Sequence, residues 1–447
     1  MKKITAAIIL AMSPYCAYSG IFQADITVTN LGEGPKTKTF DFDNAGNFFD
    51  QLTNKGFSQS FPGYNSQTST VSAQTVYQGV DINVSLPQGT TDKSTLILEI
   101  PELGVTKTFD GAKRSDTTKA MEDYLRKDTD GTYSRIMEFQ VANTPNSQVA
   151  GNPTSLQGQL VSTTFDYATN VPSPTSTPTT TTAPASDTGS GSPSGTAKPV
   201  SKSASAGSSS NPLMVGVGGG NYTQGNIDIS VINVPISKAF NISSDDPRKK
   251  LLVNGQFNYI TVGQAASFQG SVGLGYMHPL TDNWYLIPSV SYGAIGSQDL
   301  ASLGQIFSTS ISSNYKFKLA GYDMAFVNMF GYYKTLPLSI DGVVSSDPNI
   351  NNYVFKNGIF PSRVVSMFGH DVRVKGIFTD TEFTGSRVFV RQYNEVGIEL
   401  SSVKKVEWLD KATFGLADSL SLSGKYVFSI ENPDGFEGYD IGVSYDF

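Results

Sequence analysis

The stretch Gly438-Tyr-Asp-Ile-Gly-Val-Ser-Tyr-Asp-Phe447 decides the fold. Tyr439, Ile441, Val443, Tyr445 and Phe447 fall on one parity, and Asp440, Gly442, Ser444 and Asp446 on the other. Strict alternation is the period of a β-strand with one apolar and one polar face, and no helix fits it. Aromatics at both ends of the apolar face suit a strand whose outward side meets lipid, with the aromatics at the interfaces, and whose inward side lines a wet lumen.

Working outward from this tail, the same alternation fills the chain back to about residue 213. Phe268, Val272, Leu274 and Tyr276 alternate with Gln269, Ser271, Gly273 and Gly275; beyond a turn at 279–283, Trp284, Leu286, Val290 and Tyr292 alternate with Ser289, Ser291 and Gly293. Leu420, Leu422, Tyr426, Phe428 and Ile430 repeat the pattern. Turn signals divide the region into about 12 strands, near 225–238, 249–262, 266–279, 283–296, 303–314, 318–342, 353–366, 370–382, 388–403, 405–416, 418–431 and 437–447. About 10 residues per strand suits a tilted crossing. Gly216-Val-Gly-Gly-Gly220 reads as a flexible lead-in to the first strand. The fold expected for 213–447 is thus an all-β transmembrane barrel of about 12 antiparallel strands, its small inward residues favouring an open or water-filled lumen, although a barrel of this size is narrower than the 16- to 18-stranded porins and could be plugged.

The tail resembles the C-terminal strand of Gram-negative outer-membrane β-barrel proteins, which typically ends in Phe after an aromatic two residues earlier, as Tyr445-Asp-Phe447 does. With a signal, an N-terminal region and then a C-terminal barrel, the chain resembles the autotransporter class over roughly its C-terminal half. The resemblance implies contact with outer-membrane lipid and lipopolysaccharide. It also implies that barrel-assembly machinery reads Tyr439, Ile441, Val443, Tyr445 and above all Phe447. One departure stands out: autotransporters usually thread a helix through the pore just before the first strand, whereas Lys198 to Gly220 carries no helical apolar stripe.

The chain opens with Met1-Lys2-Lys3, a largely apolar run from Ile4 to Met12 and the small residues Ala17-Tyr18-Ser19, a secretory signal peptide over 1–19. Its apolar run is too short for a span, which needs about 20 residues. The single cysteine, Cys16, lies inside it. The mature chain then has no disulfide, no thiol nucleophile and no cysteine-ligated zinc. A net charge of −7 argues against nucleic acid as a partner. The mean hydropathy of −0.17 is compatible with a barrel, because lumen-facing residues dilute the signal.

Residues 20–165 read as a separate small α+β domain. Ala24–Thr29 and Thr37–Asp41 form a hairpin, Asn44 caps a helix carrying Phe48, Phe49 and Leu52, and a second hairpin spans Val71–Leu86 around Gln78-Gly79. Ser115 or Asp116 is expected to cap a helix carrying Met121, Tyr124 and Leu125. The string Thr-Lys-Thr-Phe-Asp occurs at 37–41 and again at 106–110, each time after a turn and before a helix, which points either to a duplicated ββα unit or to coincidence in a Thr- and Lys-containing chain. Residues 166–212, rich in Ser, Thr, Pro and Gly, bury too little apolar surface to offset chain entropy and read as a disordered linker.

Catalytic patterns are absent from the sequence: there is no G-x-S-x-G elbow, no H-E-x-x-H, no phosphate loop and no EF-hand. His278 and His370 lack a partner motif and read as structural or interfacial, so neither an enzyme nor a cofactor is expected. Asp245, Asp246 and Asp347 read as solvated loop charge in preference to calcium ligands. Lys316, Lys318, Arg373 and Lys375 either line the lumen or meet lipopolysaccharide phosphates. The leading functional expectation is an outer-membrane barrel anchoring a tethered interaction or adhesive module, with a surface or periplasmic protein as partner. A solute-conducting pore with a periplasmic domain is the alternative, and a barrel enzyme the weakest third.

Overall fold

Two large hydrogen-bonded sheets divide the described residues. The structure is a computed structural model describing residues 21–30, 32–90, 92–170, 213–224, 227–340, 344–367, 369–403, 419–431 and 436–446. The expected signal peptide, most of the expected linker, the expected strand 405–416 and Phe447 lie outside the described residues.

The N-terminal part contains β1 (Phe22–Thr29), β2 (Pro35–Phe42), α1 (Ala45–Gln51), α2 (Asn54–Ser60), β3 (Thr70–Tyr77), β4 (Val80–Leu86), β5 (Ser94–Ile100), β6 (Val105–Gly111), α3 (Arg114–Lys127), α4 (Thr132–Asn143) and α5 (Leu156–Thr169). Its six strands form an antiparallel sheet in the order β2-β1-β3-β4-β5-β6. One face carries Phe22, Ala24, Ile26, Val71, Ala73, Val84, Leu96 and Leu98, all buried, as period-two patterning requires. Both expected hairpins are present, and the second turns on Gln78 (φ 50°) and Gly79 (φ 81°), the pair of left-handed residues that a tight hairpin needs. Asn44 caps α1 by accepting from the Asn47 N–H at 2.9 Å. The cap of α3 differs from expectation. Lys113 is the N-cap, and Asp116, three residues on, reaches back to accept from its N–H at 3.1 Å. The two Thr-Lys-Thr-Phe-Asp strings lie in β2 and β6, the two edges of the sheet.

The second sheet closes on itself. Its strands are β7 (Leu213–Gln224), β8 (Ile227–Asn241), β9 (Lys250–Val262), β10 (Ala265–Pro279), β11 (Trp284–Ser297), β12 (Ser302–Leu319) and β13 (Tyr322–Leu336). A small hairpin of β14 (Leu338–Ile340) and β15 (Val344–Ser346) interrupts them. The ring continues with β16 (Asn351–Met367), β17 (His370–Gly385), β18 (Gln392–Ser402), β19 (Ser419–Phe428) and β20 (Phe436–Asp446). All twelve are antiparallel to their neighbours, and β20 pairs with β7 from Phe436↔Gln224 to Asp446↔Met214. Closure leaves no unpaired edge among the described strands of this ring, which a sheet in hydrocarbon requires.

The expected strand number holds, but the set differs. The glycine-rich stretch 216–220 is not a lead-in: it is the middle of β7, the strand that seals the barrel. Glycine is used there for close approach. A Cβ on Gly218 would stand 2.5 Å from Asn233 Oδ1, and one on Gly220 would stand 2.8 Å from the Tyr439 carbonyl. The segment expected as one strand over 318–342 is divided by a turn at Ala320-Gly321, both with positive φ.

Candidate functional site: a helix inside the barrel lumen

The outer face of the ring is apolar. Val217, Ile232, Phe257, Phe268, Val272, Leu274, Phe330, Phe355, Phe378, Ile398, Tyr439 and Ile441 are all exposed there. Such a continuous apolar belt on a closed sheet calls for lipid. Trp284, Tyr315 and Tyr322 stand near one mouth and Tyr292, Phe307 and Tyr353 near the other, as interfacial girdles do. Among the tail residues singled out in the sequence, Tyr439 and Ile441 project outward at 65% and 62% exposure, with Val443 and Tyr445 on the same parity and half-buried.

The inner face is not open. Helix α5 lies inside the lumen, packed on the wall formed by β10 to β13. Its sequence explains why it is a helix and which way it faces. Ser155 caps it by accepting from the Gly158 N–H at 3.3 Å, and Leu156, Leu160, Val161, Thr164, Phe165 and Ala168 form one buried stripe. This stripe was legible in the sequence. The expected boundary at Asp166 cuts through it, and the stripe lies well upstream of Lys198 to Gly220, where the resemblance places a pore helix. Of the two lumens that the small inward residues allowed, open or plugged, the structure has the plugged one, and these residues admit the helix. A Cβ on Gly293 would stand 2.9 Å from Leu156 Cδ1 and 3.3 Å from Leu160 Cδ1, and one on Gly358 would stand 3.0 Å from Phe165 Cζ.

Polar wall residues hold α5 along its length. Gln157 Nε2 donates to Asn352 Oδ1 at 3.0 Å, Gln256 Nε2 to Gln159 Oε1 at 3.0 Å, and the Tyr167 hydroxyl to the Val253 carbonyl at 2.6 Å. At the C-terminus, where helix carbonyls have no partners of their own, Asn314 Nδ2 donates to the Ala168 carbonyl at 2.8 Å. The connection entering the helix is held in the same way: Ser267 Oγ donates to Gln148 Oε1 at 2.9 Å and Gln269 Nε2 to the Thr154 carbonyl at 3.2 Å.

Facing α5 is a set of charges on β16 to β20. Lys356, wholly buried, contacts Glu395, which also accepts from Thr379 Oγ1 at 2.7 Å and from Lys425 Nζ at 3.1 Å. Lys356 Nζ lies 5.2 Å from the Phe165 ring centre and 5.4 Å from that of Tyr393. Lys375 pairs with Glu399 at 2.7 Å. A cleft of about 200 Å³ remains between α5 and this wall.

Of the four basic residues read as lumen or lipopolysaccharide contacts, Lys375 lines that cleft and Lys316 lies over the Tyr285 ring at 5.9 Å. Lys318 and Arg373 both reach Asp323, at 3.3 and 3.4 Å. All four thus gather at the mouth where β7 begins. The two histidines are not brought together. His278 contacts the Tyr276 hydroxyl at 3.3 Å on β10, and His370 starts β17, five strands away round the ring. Asp246 pairs with Arg248 at 2.9 Å, and no group of three metal-ligating side chains occurs among the described residues.

The other mouth is covered by the N-terminal domain. The Ala45 N–H donates to the Asp299 carbonyl at 2.7 Å, Gln78 Nε2 and the Tyr77 hydroxyl both donate to the Leu300 carbonyl at 2.5 and 3.2 Å, and the Tyr133 hydroxyl donates to the Ala301 carbonyl at 2.6 Å. The Phe389 N–H donates to the Val141 carbonyl at 2.9 Å and the Val390 N–H to the Gly151 carbonyl at 2.8 Å.

Closure in twelve strands, an apolar outer belt and a polar, plugged interior leave one reading. This is a barrel of the outer-membrane type. No family model matches the sequence, and no curated protein matches it. Solved structures similar to it include the beta domain of the Bordetella autotransporter BrkA, at 12% identity and a TM-score of 0.39, covering 53% of this chain and 99% of that one. The translocator domain of the autotransporter NalP from Neisseria meningitidis is similar at 11% identity and a TM-score of 0.37, covering 53% and 88%. The KdgM porin is similar at 10% identity and a TM-score of 0.33, covering 52% and 99%. The likeness is one of barrel architecture, over about half of this chain.

Proposed function

We propose that the chain is an autotransporter-like outer-membrane anchor whose barrel holds the N-terminal domain at the cell surface as an interaction or adhesive module. The observation that carries this reading is the direction of α5. The helix starts beneath the docked domain at one mouth and ends at the other, where β7 begins and β20 ends. A barrel inserted from the periplasm leaves the ends of its first and last strands on that side, so the domain faces outward. The helix in the lumen and the domain on the mouth weigh against the alternative of a wide solute pore.

Labelling of intact cells with a membrane-impermeant amine reagent tests the reading. Lys93 and Lys119, whose side chains are 64% and 75% exposed, react without permeabilisation if the domain is outside. Protection of both until the outer membrane is ruptured would place the domain in the periplasm and end the display reading. The signal peptide over 1–19, the linker and the assembly role of the tail belong to the same proposal. Deleting Phe447 is expected to cause periplasmic accumulation while Phe447→Tyr inserts, read from heat-modifiable mobility. Normal insertion of the deletion variant would remove the assembly role.

A further inference from the structure

The cleft beside α5 has a composition that mere filling of a lumen does not call for. It runs along the helix from Pro153 to Asn170, and four carboxylates line it, Asp166, Glu395, Glu399 and Asp440, against two lysines, Lys375 and Lys425. Each lysine already has its acid. Lys375 is held by Glu399 at 2.7 Å, and Lys425 by Glu395 at 3.1 Å with Asp440 at 3.9 Å. Asp166 differs. It projects from α5 into the cleft, exposed to that space, and its carboxylate has no hydrogen-bond or ion-pair partner among the described residues.

Aromatic rings complete the walls. Tyr167, Tyr222, Phe360 and Tyr393 line the cleft, and the hydroxyl of Tyr393, a residue only 1% exposed, has no partner among the described residues. A carboxylate beside an aromatic face is the chemistry that recognises an ammonium group. The lumen already uses it on its own lysines: Lys356 sits on Glu395 against the Phe165 and Tyr393 rings, and Lys375 on Glu399 with the Phe360 ring 6.0 Å away.

We propose that this cleft is a binding site for a small linear ammonium solute of the diamine or polyamine class. One ammonium sits on Asp166, and the rest of the chain extends along the carboxylate-rich wall toward Asp440. With Lys356 on Glu395 counted, the four carboxylates face three lysines, which leaves one net negative charge for a cation to meet and gives a neutral solute no opposite charge to offer Asp166. The site is independent of which side of the membrane the N-terminal domain faces, so this proposal and the display reading fail separately.

Calorimetric titration of the full chain in detergent with putrescine tests it, with a diol of the same chain length and Mg²⁺ as controls. The expected result is saturable binding of putrescine at one site, no binding of the diol, and affinity lowered about tenfold or more by Asp166→Asn, as loss of a charge-assisted contact implies. Asp440→Asn is the second variant, expected to weaken putrescine several-fold. It replaces the first if Asp166→Asn loses the heat-modifiable mobility of the folded barrel. Absence of saturable heat, unchanged affinity in the folded variant, or displacement of putrescine by Mg²⁺ at equal concentration and stoichiometry would overturn the proposal. The last outcome would reduce the cleft to unselective attraction for cations.

Discussion

Single residues on the inner wall matter through what they leave out or leave paired. Gly293 supplies space: Gly293→Val would push methyl groups into Leu156 and Leu160, and overpacking of this kind costs about 1–3 kcal/mol. Gly296→Val, on the outer face where a Cβ meets only Leu303 at 3.6 Å, should cost far less. Urea midpoints of the two variants in detergent make the comparison, and equal losses would mean that α5 does not press on Gly293. Glu395 is the hub of the buried charges, so Glu395→Gln leaves Lys356 without its acid, and breaking a buried pair in this way costs about 3–5 kcal/mol. Lys356→Met should cost less, because Glu395 keeps Lys425 and Thr379. The reverse order in unfolding experiments would contradict this account of the hub. At this scale the sequence shows parity and little more. Inward Gly and Ser look the same whether they face water or a helix, so the use of Gly293 and Gly358 could not be read without the partner atoms.

Among the elements, those with strong local signals were legible and those defined by distant partners were not. Alternation located the barrel strands from β8 to β13, and Asn44 and Gln78-Gly79 announced a helix start and a turn because caps and left-handed residues act locally. β7 was hidden because glycine has no face to alternate, and its pairing with β20, more than two hundred residues away, makes it a strand. α5 had a legible stripe but no local sign of where that stripe would be buried. Its apolar face contributes by packing on the wall, so Leu160→Ala, which empties space between α5 and Gly293, should cost about 2–5 kcal/mol. Leu274→Ala on the lipid face, where the side chain is 49% exposed, should cost much less. Similar losses for both in detergent unfolding would show that α5 contributes no more than the lipid-facing surface.

For the whole molecule, one continuous buried cluster runs from the six-stranded sheet through α5 to the inner wall of the barrel. The N-terminal domain is therefore docked on the barrel, with its β3–β4 turn, α1 and α4 bonded to loops at the mouth. Composition had separated the two halves correctly as sheets, yet it carried no information on their docking, because hydrogen bonds between loops leave no pattern in a sequence. The central claim is that α5 occupies the lumen, and a disulfide trap tests it most directly. Cys16 is the only native cysteine, so Leu156→Cys with Gly293→Cys in a Cys16→Ser background places two thiols where Leu156 now touches Gly293. Oxidation of intact cells followed by non-reducing denaturing electrophoresis should give a looped, faster-migrating chain that reverts on reduction. A band that does not shift, with both thiols still free in a chain that retains heat-modifiable mobility, would contradict the account.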